Sequence, residues 1–190
     1  MNYNAECLFP SVVHLVETEL NQDIKSFCLQ EHKRDPVGVS LSNMGGWQSK
    51  SIDKDNVVTD YLYNLFSQTL YDNFDERFEI INHWININQP NTYNRIHRHP
   101  SSVLSGVYYV QTPKDSGNIV FENEHGFYAY EELTTFSPEA RDYYSQHLAT
   151  AFVPKEGLLI MFPSYLAHAV EINNSKENRI SISFNTRVIR

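Results

Sequence analysis

The sequence lacks the features by which secreted, membrane and disulfide-stabilised proteins are usually recognised. Its 190 residues include only two cysteines, Cys7 and Cys28, and neither has a spacing typical of metal ligands. It has no apolar run of about 18 residues, which argues against a membrane span. The first residues carry Glu6 and no basic segment, so they do not resemble a signal peptide. We therefore expect a cytoplasmic protein whose cysteines are buried or free thiols.

Positive charge is scarce as well. The chain has 15 basic and 23 acidic residues, and its formal net charge is −8. An acidic chain without a basic cluster is a poor candidate for binding phosphate backbones, so nothing supports nucleic acid as a partner. The hydrophobic fraction of 41% is nevertheless ample for a core. We expect one domain that spans residues 1–190.

Helical and strand patterns occupy different parts of the chain. Apolar residues recur at helical spacing in 11–33 and in 56–74, and we place a helical N-terminal part at 1–75. From 76 to 190 short alternating runs are separated by glycine, proline and asparagine: 77–88, 103–112, 117–123, 157–163, 167–173 and 179–189. The first run changes phase between Ile80 and His83, which predicts a bulge. The pattern predicts an α+β chain built on a sandwich or small barrel.

The segment 124–156 breaks this rhythm. It is rich in glutamate and tyrosine, the latter including Tyr128, Tyr130, Tyr143 and Tyr144. A long insert of this kind forms either a cover over one mouth of the barrel or an acidic surface loop with aromatic anchors. Both interpretations remain open at this stage.

His97 and His99 form the first candidate metal pair. Residues i and i+2 of an extended segment point to the same face, and Pro100 favours an extended conformation at His99. Two imidazoles on one face can bind a first-row transition metal, with further ligands supplied from elsewhere in the chain. A surface pair or a hydrogen-bonded pair would have the same spacing.

Further candidates stand near the C-terminus. His168 opens a strand after "GLLIMFPSYLA", and Arg179 and Ser181 share one face of the following strand by alternation. If these two strands form a hairpin with Ile172 near Arg179, the arginine lies roughly 13 Å along the sheet from the histidine. A short dicarboxylate would fit that gap, since a guanidinium is a suitable anchor for a carboxylate.

Three blocks of sequence resemble a known superfamily. The blocks "NRIHRHPSSVLSGVYYVQTP", "LLIMFPSYLAHAVEIN" and "RISISFN" are similar to those of iron(II)- and 2-oxoglutarate-dependent oxygenases, in particular a group of bacterial and phage members with mostly unassigned substrates. The N-terminal "LFPSVV" and "GGWQS" also fit that group. The resemblance covers most of the chain except 124–156. It implies a double-stranded β-helix (a cupin-like jelly-roll) with N-terminal helices packed on one sheet and a metal in one mouth.

The resemblance also implies a metal-binding set. His97 corresponds to the first ligand of an HxD/E motif and His168 to the distal histidine. Position 99 is an aspartate or glutamate in most of the superfamily, whereas here it is His99. Three neutral imidazoles would leave an Fe(II) site one unit more positive and would also suit zinc, copper or nickel. Glu122 is an alternative source of a carboxylate, and a site with two protein ligands is a further alternative.

The same resemblance implies a binding site for 2-oxoglutarate, the co-substrate. Arg179 corresponds to the residue that binds the 5-carboxylate, Ser181 to the serine that assists it, and Tyr109 to a tyrosine that hydrogen-bonds the same group. The implied reaction uses Fe(II) and molecular oxygen, converts 2-oxoglutarate to succinate and CO₂, and hydroxylates a C–H bond of an unidentified small-molecule or protein substrate.

Two other functions are compatible with the same histidines or the same fold. A cupin-like metal enzyme that does not use 2-oxoglutarate would share the three histidines but would not need Arg179 or Ser181. A non-catalytic jelly-roll binding module would need none of them.

Overall fold

The chain forms two antiparallel β-sheets with two long helices packed on one of them. The computed structural model describes residues 10–19, 22–52, 57–73, 78–123, 135–143 and 147–189. The helices are α1 (Gln22–Arg34), α2 (Val57–Asn73) and the short α3 (Pro138–Tyr143). The strands are β1 (His14–Glu17), β2 (Asn43–Met44), β3 (Trp47–Gln48), β4 (Phe78–Asn88), β5 (Tyr93–His97), β6 (Leu104–Gln111), β7 (Ile119–Glu122), β8 (Ala149–Phe152), β9 (Leu158–Pro163), β10 (His168–Val170) and β11 (Arg179–Val188).

The strand order is that of a jelly-roll. One sheet has six strands in the order β1-β9-β6-β11-β4-β3, and the other has five in the order β2-β5-β10-β7-β8. From β8 to β11 each strand lies in the sheet opposite to its predecessor, and β4 to β7 alternate in the same way. The sheets pack on each other through aromatic contacts, such as Phe121 of β7 against Phe162 of β9 with ring centroids 4.8 Å apart. The predicted double-stranded β-helix is therefore confirmed.

Alternation along β11 separates a helix-facing core from a cavity-facing surface. Ile180, Ile182 and Phe184 are buried in the cluster that includes Leu62 and Phe66 of α2. The intervening residues line a cavity between the two sheets: Arg179, Ser181, Ser183 and Asn185. Because successive side chains of a strand point to opposite faces, one strand both anchors the helix layer and presents polar groups to the site. The predicted packing of N-terminal helices on one sheet is thus confirmed.

The predicted helix over 11–33 is wrong at its start. Residues His14–Glu17 form β1, which pairs with β9 along the edge of the six-stranded sheet, and α1 begins only at Gln22. His14 lies opposite Met161 and Leu15 opposite Ile160 in this pairing. The alternating burial of the segment matches a strand that is covered on one face. The second predicted helix, over 56–74, is confirmed by α2.

The bulge predicted in the first strand after residue 76 is present. In the β4–β11 pairing Asn82 lies opposite Asn185 and Ile80 opposite Thr186, so Ile81 is the extra residue. The side chain of Ile80 is buried and that of Ile81 is 40% exposed. The bulge lets β4 keep its apolar residues on the helix side before and after the change of phase.

Part of the segment 124–156 belongs to one of the two sheets. Residues Ala149–Phe152 form β8 and pair with β7, so the five-stranded sheet includes part of this segment. Tyr128, Tyr130 and Tyr144 lie outside the described residues.

The structure tests part of the predictions about the two cysteines and about membrane spans. Cys28 is a free, fully buried cysteine of α1, and burial raises the pKa of its thiol to about 12. Cys7 lies outside the described residues. Within the described ranges no helix combines the length and the apolar character needed to span a bilayer.

Gly106 of β6 is required by its neighbour across the sheet. A Cβ atom at this position would lie 2.3 Å from ring carbons of Phe184, which is stacked on Phe66 of α2 with centroids 4.2 Å apart. We expect Gly106→Ala to lower the free energy of unfolding by about 1–3 kcal/mol, because the ring has no room to shift. Urea denaturation measures this change. Combining Gly106→Ala with Phe184→Leu should restore part of the loss, and an unchanged stability of the single variant would contradict the explanation.

Candidate active site

A cavity between the sheets brings together the three predicted metal ligands and the three predicted co-substrate residues. Its volume is about 780 Å³, and its walls include strands of both sheets. The predicted site residues among its lining are His97, His99, His168, Arg179, Ser181 and Tyr109.

The three histidines meet at one end of this cavity. His97 ends β5 and His168 opens β10, and the two lie directly opposite each other in the β5–β10 pairing. His99 follows two residues later, where its backbone N–H donates to the carbonyl of Ser164 at 3.0 Å. One ring nitrogen from each histidine lies within 4.8 Å of the other two, and the Nε2 atoms of His99 and His168 are 3.3 Å apart.

Backbone carbonyls orient two of the three rings. The Nδ1 of His97 is 2.8 Å from the carbonyl oxygen of Arg95, and the Nδ1 of His168 is 2.9 Å from that of Leu166. Each ring thus donates its Nδ1–H to the carbonyl two residues earlier, which leaves Nε2 as a lone-pair donor. This second hydrogen bond is the usual way in which proteins fix the tautomer of a metal-binding histidine.

Burial keeps these imidazoles neutral. It lowers the pKa of His97, that of His99 to about 4 and that of His168 to about 3. The positive charge that His97 carries when protonated lowers the latter two pKa values further. The hydrogen bond between His99 and Asn185 and that between His168 and Leu166 raise these two pKa values, but by less than burial lowers them. At neutral pH all three rings are therefore uncharged, and each has one ring nitrogen with an available lone pair.

The geometry of the triad fits a transition-metal ion. Metal–nitrogen bonds of about 2.1 Å place neighbouring ligand nitrogens roughly 3.0 Å apart in an octahedral site. The 3.3 Å between the Nε2 atoms of His99 and His168 is close to this spacing. Aromatic rings surround the cluster: Trp84 stacks on His99 at 5.6 Å, and Phe162 meets His168 edge-on at 4.7 Å. Three neutral nitrogen donors in such surroundings suit Fe(II) and also other divalent metals.

Glu122, the alternative source of a carboxylate, is not part of this cluster. Phe121 is the residue of β7 that lies opposite His168, and its ring faces the histidine at 5.7 Å. Glu122 therefore points away from the cavity by alternation, and it is exposed. Among the described residues, the group that could hold a metal consists of His97, His99 and His168.

Arg179 is the second notable feature of the cavity. It is 1% exposed, and one of its terminal nitrogens donates to the backbone carbonyls of Ser116 at 3.0 Å and Gly117 at 3.1 Å. Its Nε is buried without a hydrogen-bond partner, and no carboxylate of the described residues forms an ion pair with it. Burial lowers the pKa of the guanidinium to about 10, so it is still charged at neutral pH. A buried cation with an unused donor fits an anionic ligand.

Tyr109 and Ser181 lie beside this arginine. They face each other across the β6–β11 pairing, and both are buried. Burial raises the pKa of Tyr109 to about 12, an effect that the nearby charge of Arg179 partly offsets. The tyrosine therefore keeps its phenolic proton and can donate it to an anion bound by Arg179.

The predicted hairpin between His168 and Arg179 is wrong. β10 pairs with β5 and β7 in the five-stranded sheet, whereas β11 pairs with β4 and β6 in the six-stranded sheet. His168 and Arg179 therefore face the cavity from opposite sheets. The short connection of 171–178 crosses between the layers instead of turning within one of them.

Several residues that line the cavity were not predicted from the sequence. Asn82, Trp84, Asn86 and Asn88 of β4 all line it, and Asn185 hydrogen-bonds to His99. The signal was present in "NHWININ", where the residues at every second position are asparagine or tryptophan and those between them are histidine or isoleucine. That alternation indicates a strand with one apolar face and one polar, ligand-facing face.

Comparison with known proteins identifies the family. A family model described as "Putative 2OG-Fe(II) oxygenase" matches residues 82–185, which is more than half of the chain and includes all six predicted site residues. The chain belongs to the 2OG-Fe(II) oxygenase family. This 2OG-Fe(II) oxygenase is therefore an oxidoreductase that uses Fe(II), 2-oxoglutarate and molecular oxygen. A search of the curated proteins gave no match.

Solved structures of other oxygenases share the fold. A collagen prolyl hydroxylase of Paramecium bursaria Chlorella virus-1, in complex with 2-oxoglutarate, is 13% identical, with a TM-score of 0.63 over 93% of this chain and 96% of its own. A Pseudomonas putida prolyl-4-hydroxylase is 16% identical, with a TM-score of 0.64 and coverage of 94% and 93%. HygX of Streptomyces hygroscopicus, with nickel and 2-oxoglutarate bound, is 8% identical, with a TM-score of 0.62 and coverage of 93% and 82%.

Proposed function

We propose that His97, His99 and His168 bind the Fe(II) of this 2OG-Fe(II) oxygenase and that Arg179 binds the 5-carboxylate of 2-oxoglutarate, assisted by Ser181 and Tyr109. The reaction hydroxylates a C–H bond of an organic substrate and releases succinate and CO₂. When bound, the iron supplies the activation of oxygen that drives this chemistry.

One observation carries the proposal. A fully buried, charged guanidinium with an unpartnered Nε faces the same cavity as three neutral imidazoles. An isolated buried charge is unfavourable unless a counter-ion is bound, so the site is incomplete without an anion. A dicarboxylate with a metal-chelating oxo-acid group at one end satisfies both halves of the cavity at once.

The chain's own residues then have separate tasks. Arg179 and the phenolic proton of Tyr109 bind and orient the distal carboxylate, and the backbone carbonyls of Ser116 and Gly117 hold the guanidinium in place. Phe121 and the edge of Phe162 cover one side of His168 and exclude water there.

The proposed reaction predicts succinate formation by the purified protein. Protein prepared without oxygen, supplied with Fe(II) and 2-oxoglutarate and then exposed to air, should form succinate slowly even when no other substrate is added. Chromatography with isotopically labelled 2-oxoglutarate measures this turnover, and omission of iron is the control. Absence of succinate at stoichiometric iron loading would refute the proposed function.

A further inference from the structure

The charges that line the cavity are opposite to those of the chain as a whole. The chain has 23 acidic and 15 basic residues, yet the described lining contains no aspartate or glutamate. It does contain Lys50, Arg95, Arg98 and Arg179. A low-dielectric cleft lined by one sign of charge concentrates ligands of the opposite sign.

2-Oxoglutarate does not account for this excess. If the proposed function holds, its two carboxylates are matched by the metal ion and by Arg179. The three metal ligands are neutral because His99 stands where most of the superfamily has a carboxylate. Formal charge then leaves one unit uncompensated at the centre of the site, before the other basic residues are counted.

Arg95 is placed to use this excess. It lies two residues before His97, its carbonyl accepts from the His97 ring, and its N–H donates to the carbonyl of Ser42 at 2.9 Å. It is an exposed residue at the wall of the cavity. Arg98 lies at the same wall but already has an interaction partner. Lys50 is a weaker candidate because it shares its charge with Asp35 at 3.1 Å.

The polar face of β4 indicates a second property of the ligand, a hydrogen-bond donor. The Oδ1 atom of Asn82 is buried without a hydrogen-bond partner, whereas Asn86 donates to Ser183 at 3.1 Å and Asn88 to Asn94 at 3.0 Å. An unpaired buried acceptor at the cavity wall fits a ligand that donates an N–H or O–H. The indole ring of Trp84 lies next in the same row and offers a flat apolar surface.

We infer that the substrate to be oxidised is a small organic anion whose carboxylate or phosphate is bound by Arg95 and whose N–H or O–H group donates to Asn82. The inference rests on the proposed function, because it assigns 2-oxoglutarate to Arg179 and the metal. A cavity of about 780 Å³ is in the range that holds small molecules, and it has space for a ligand beside 2-oxoglutarate.

The experiment measures anion binding while the 2-oxoglutarate site is filled. Protein loaded with Zn(II) and saturated with N-oxalylglycine, a non-reacting analogue of 2-oxoglutarate, is titrated with N-acetylglycine, with its neutral amide and with inorganic phosphate. Trp84 provides a fluorescence signal inside the cavity. We expect saturable binding of N-acetylglycine or phosphate, and binding of the amide at least about tenfold weaker than that of the acid, as for loss of a charge-assisted hydrogen bond. Tighter binding of phosphate would assign the anion to a phosphorylated substrate, and tighter binding of N-acetylglycine to a carboxylate.

Variants locate the binding site. Arg95→Gln should weaken binding of the anion at least about tenfold. Arg34→Gln, at an exposed arginine of α1 that pairs with Glu31, should leave it unchanged. Equal binding of acid and amide, no saturable binding of either anion, or wild-type binding by Arg95→Gln would overturn the inference.

The two proposals fail in different ways. If the wild-type protein forms succinate but the titrations show no preference for anions, only the inference about the substrate is wrong. If the wild-type protein forms no succinate, the proposed function fails whatever the titrations show.

Discussion

Replacement of Arg179 with glutamine is expected to raise the KM for 2-oxoglutarate by about 100-fold or more. Each charge-assisted hydrogen bond from a buried guanidinium contributes roughly 1.5–3 kcal/mol, and the planar group offers two to a carboxylate. Glutamine removes the charge and keeps an N–H near the position of the Arg179 Nε, although its shorter side chain no longer reaches the carbonyls of Ser116 and Gly117. Succinate formation across a range of 2-oxoglutarate concentrations measures the KM.

Two further variants test whether the loss of the Arg179 guanidinium causes this increase in KM. Arg187→Gln lies on the same strand but removes an exposed arginine whose partner is Glu79 at 2.7 Å, and it should leave the KM unchanged. Arg179→Lys keeps the charge without the planar fork, so its KM should fall between those of the wild type and Arg179→Gln. If folded Arg179→Gln protein has the wild-type KM, the assignment of the co-substrate anchor is wrong.

Removal of a triad histidine should have the other large effect. We expect His168→Ala to weaken metal binding by at least about 100-fold, because even the loss of a group that only orients a ligand weakens binding by 10–100-fold. Metal-limited succinate formation should fall with it. Equilibrium dialysis against Zn(II) or, without oxygen, against Fe(II), followed by elemental analysis, measures the affinity directly.

The controls for this variant come from the chain itself. His14→Ala, on the edge strand β1 and outside the cavity, should bind metal as the wild type does. His99→Asp should also retain metal, because it creates the two-histidine, one-carboxylate set that Fe(II) accepts. Wild-type metal affinity in His168→Ala would exclude this histidine from the site.

Local sequence patterns were sufficient to predict helix α2 and most of the longer strands. The spacing of apolar residues predicted α2, and alternation predicted the strands after residue 76, including the extra residue in β4. The strands that were missed, β1, β2, β3 and β8, have two to four residues each. Such short strands are defined by the partner that they pair with, and a window of sequence does not contain that partner.

The candidate site was predicted in part for the same reason. The convergence of His97 and His99 follows from their spacing within one extended segment, so local geometry was sufficient. The relation of His168 to Arg179 depends on which sheet each strand joins, and sequence distance suggested a hairpin that does not exist. The asparagine row of β4 was visible in the pattern, but its role depends on the cavity that two separate sheets enclose.

The placement of the triad and Arg179 on opposite layers has a mechanical consequence. A diacid that is held by the metal at one end and by the guanidinium at the other spans the gap between the two sheets and has a fixed length. Its affinity then depends on the distance between the two layers, since ligand contacts tolerate little displacement. Substitutions in the apolar contact between Phe121 and Phe162, which joins the two layers beside His168, would therefore alter how tightly it is held.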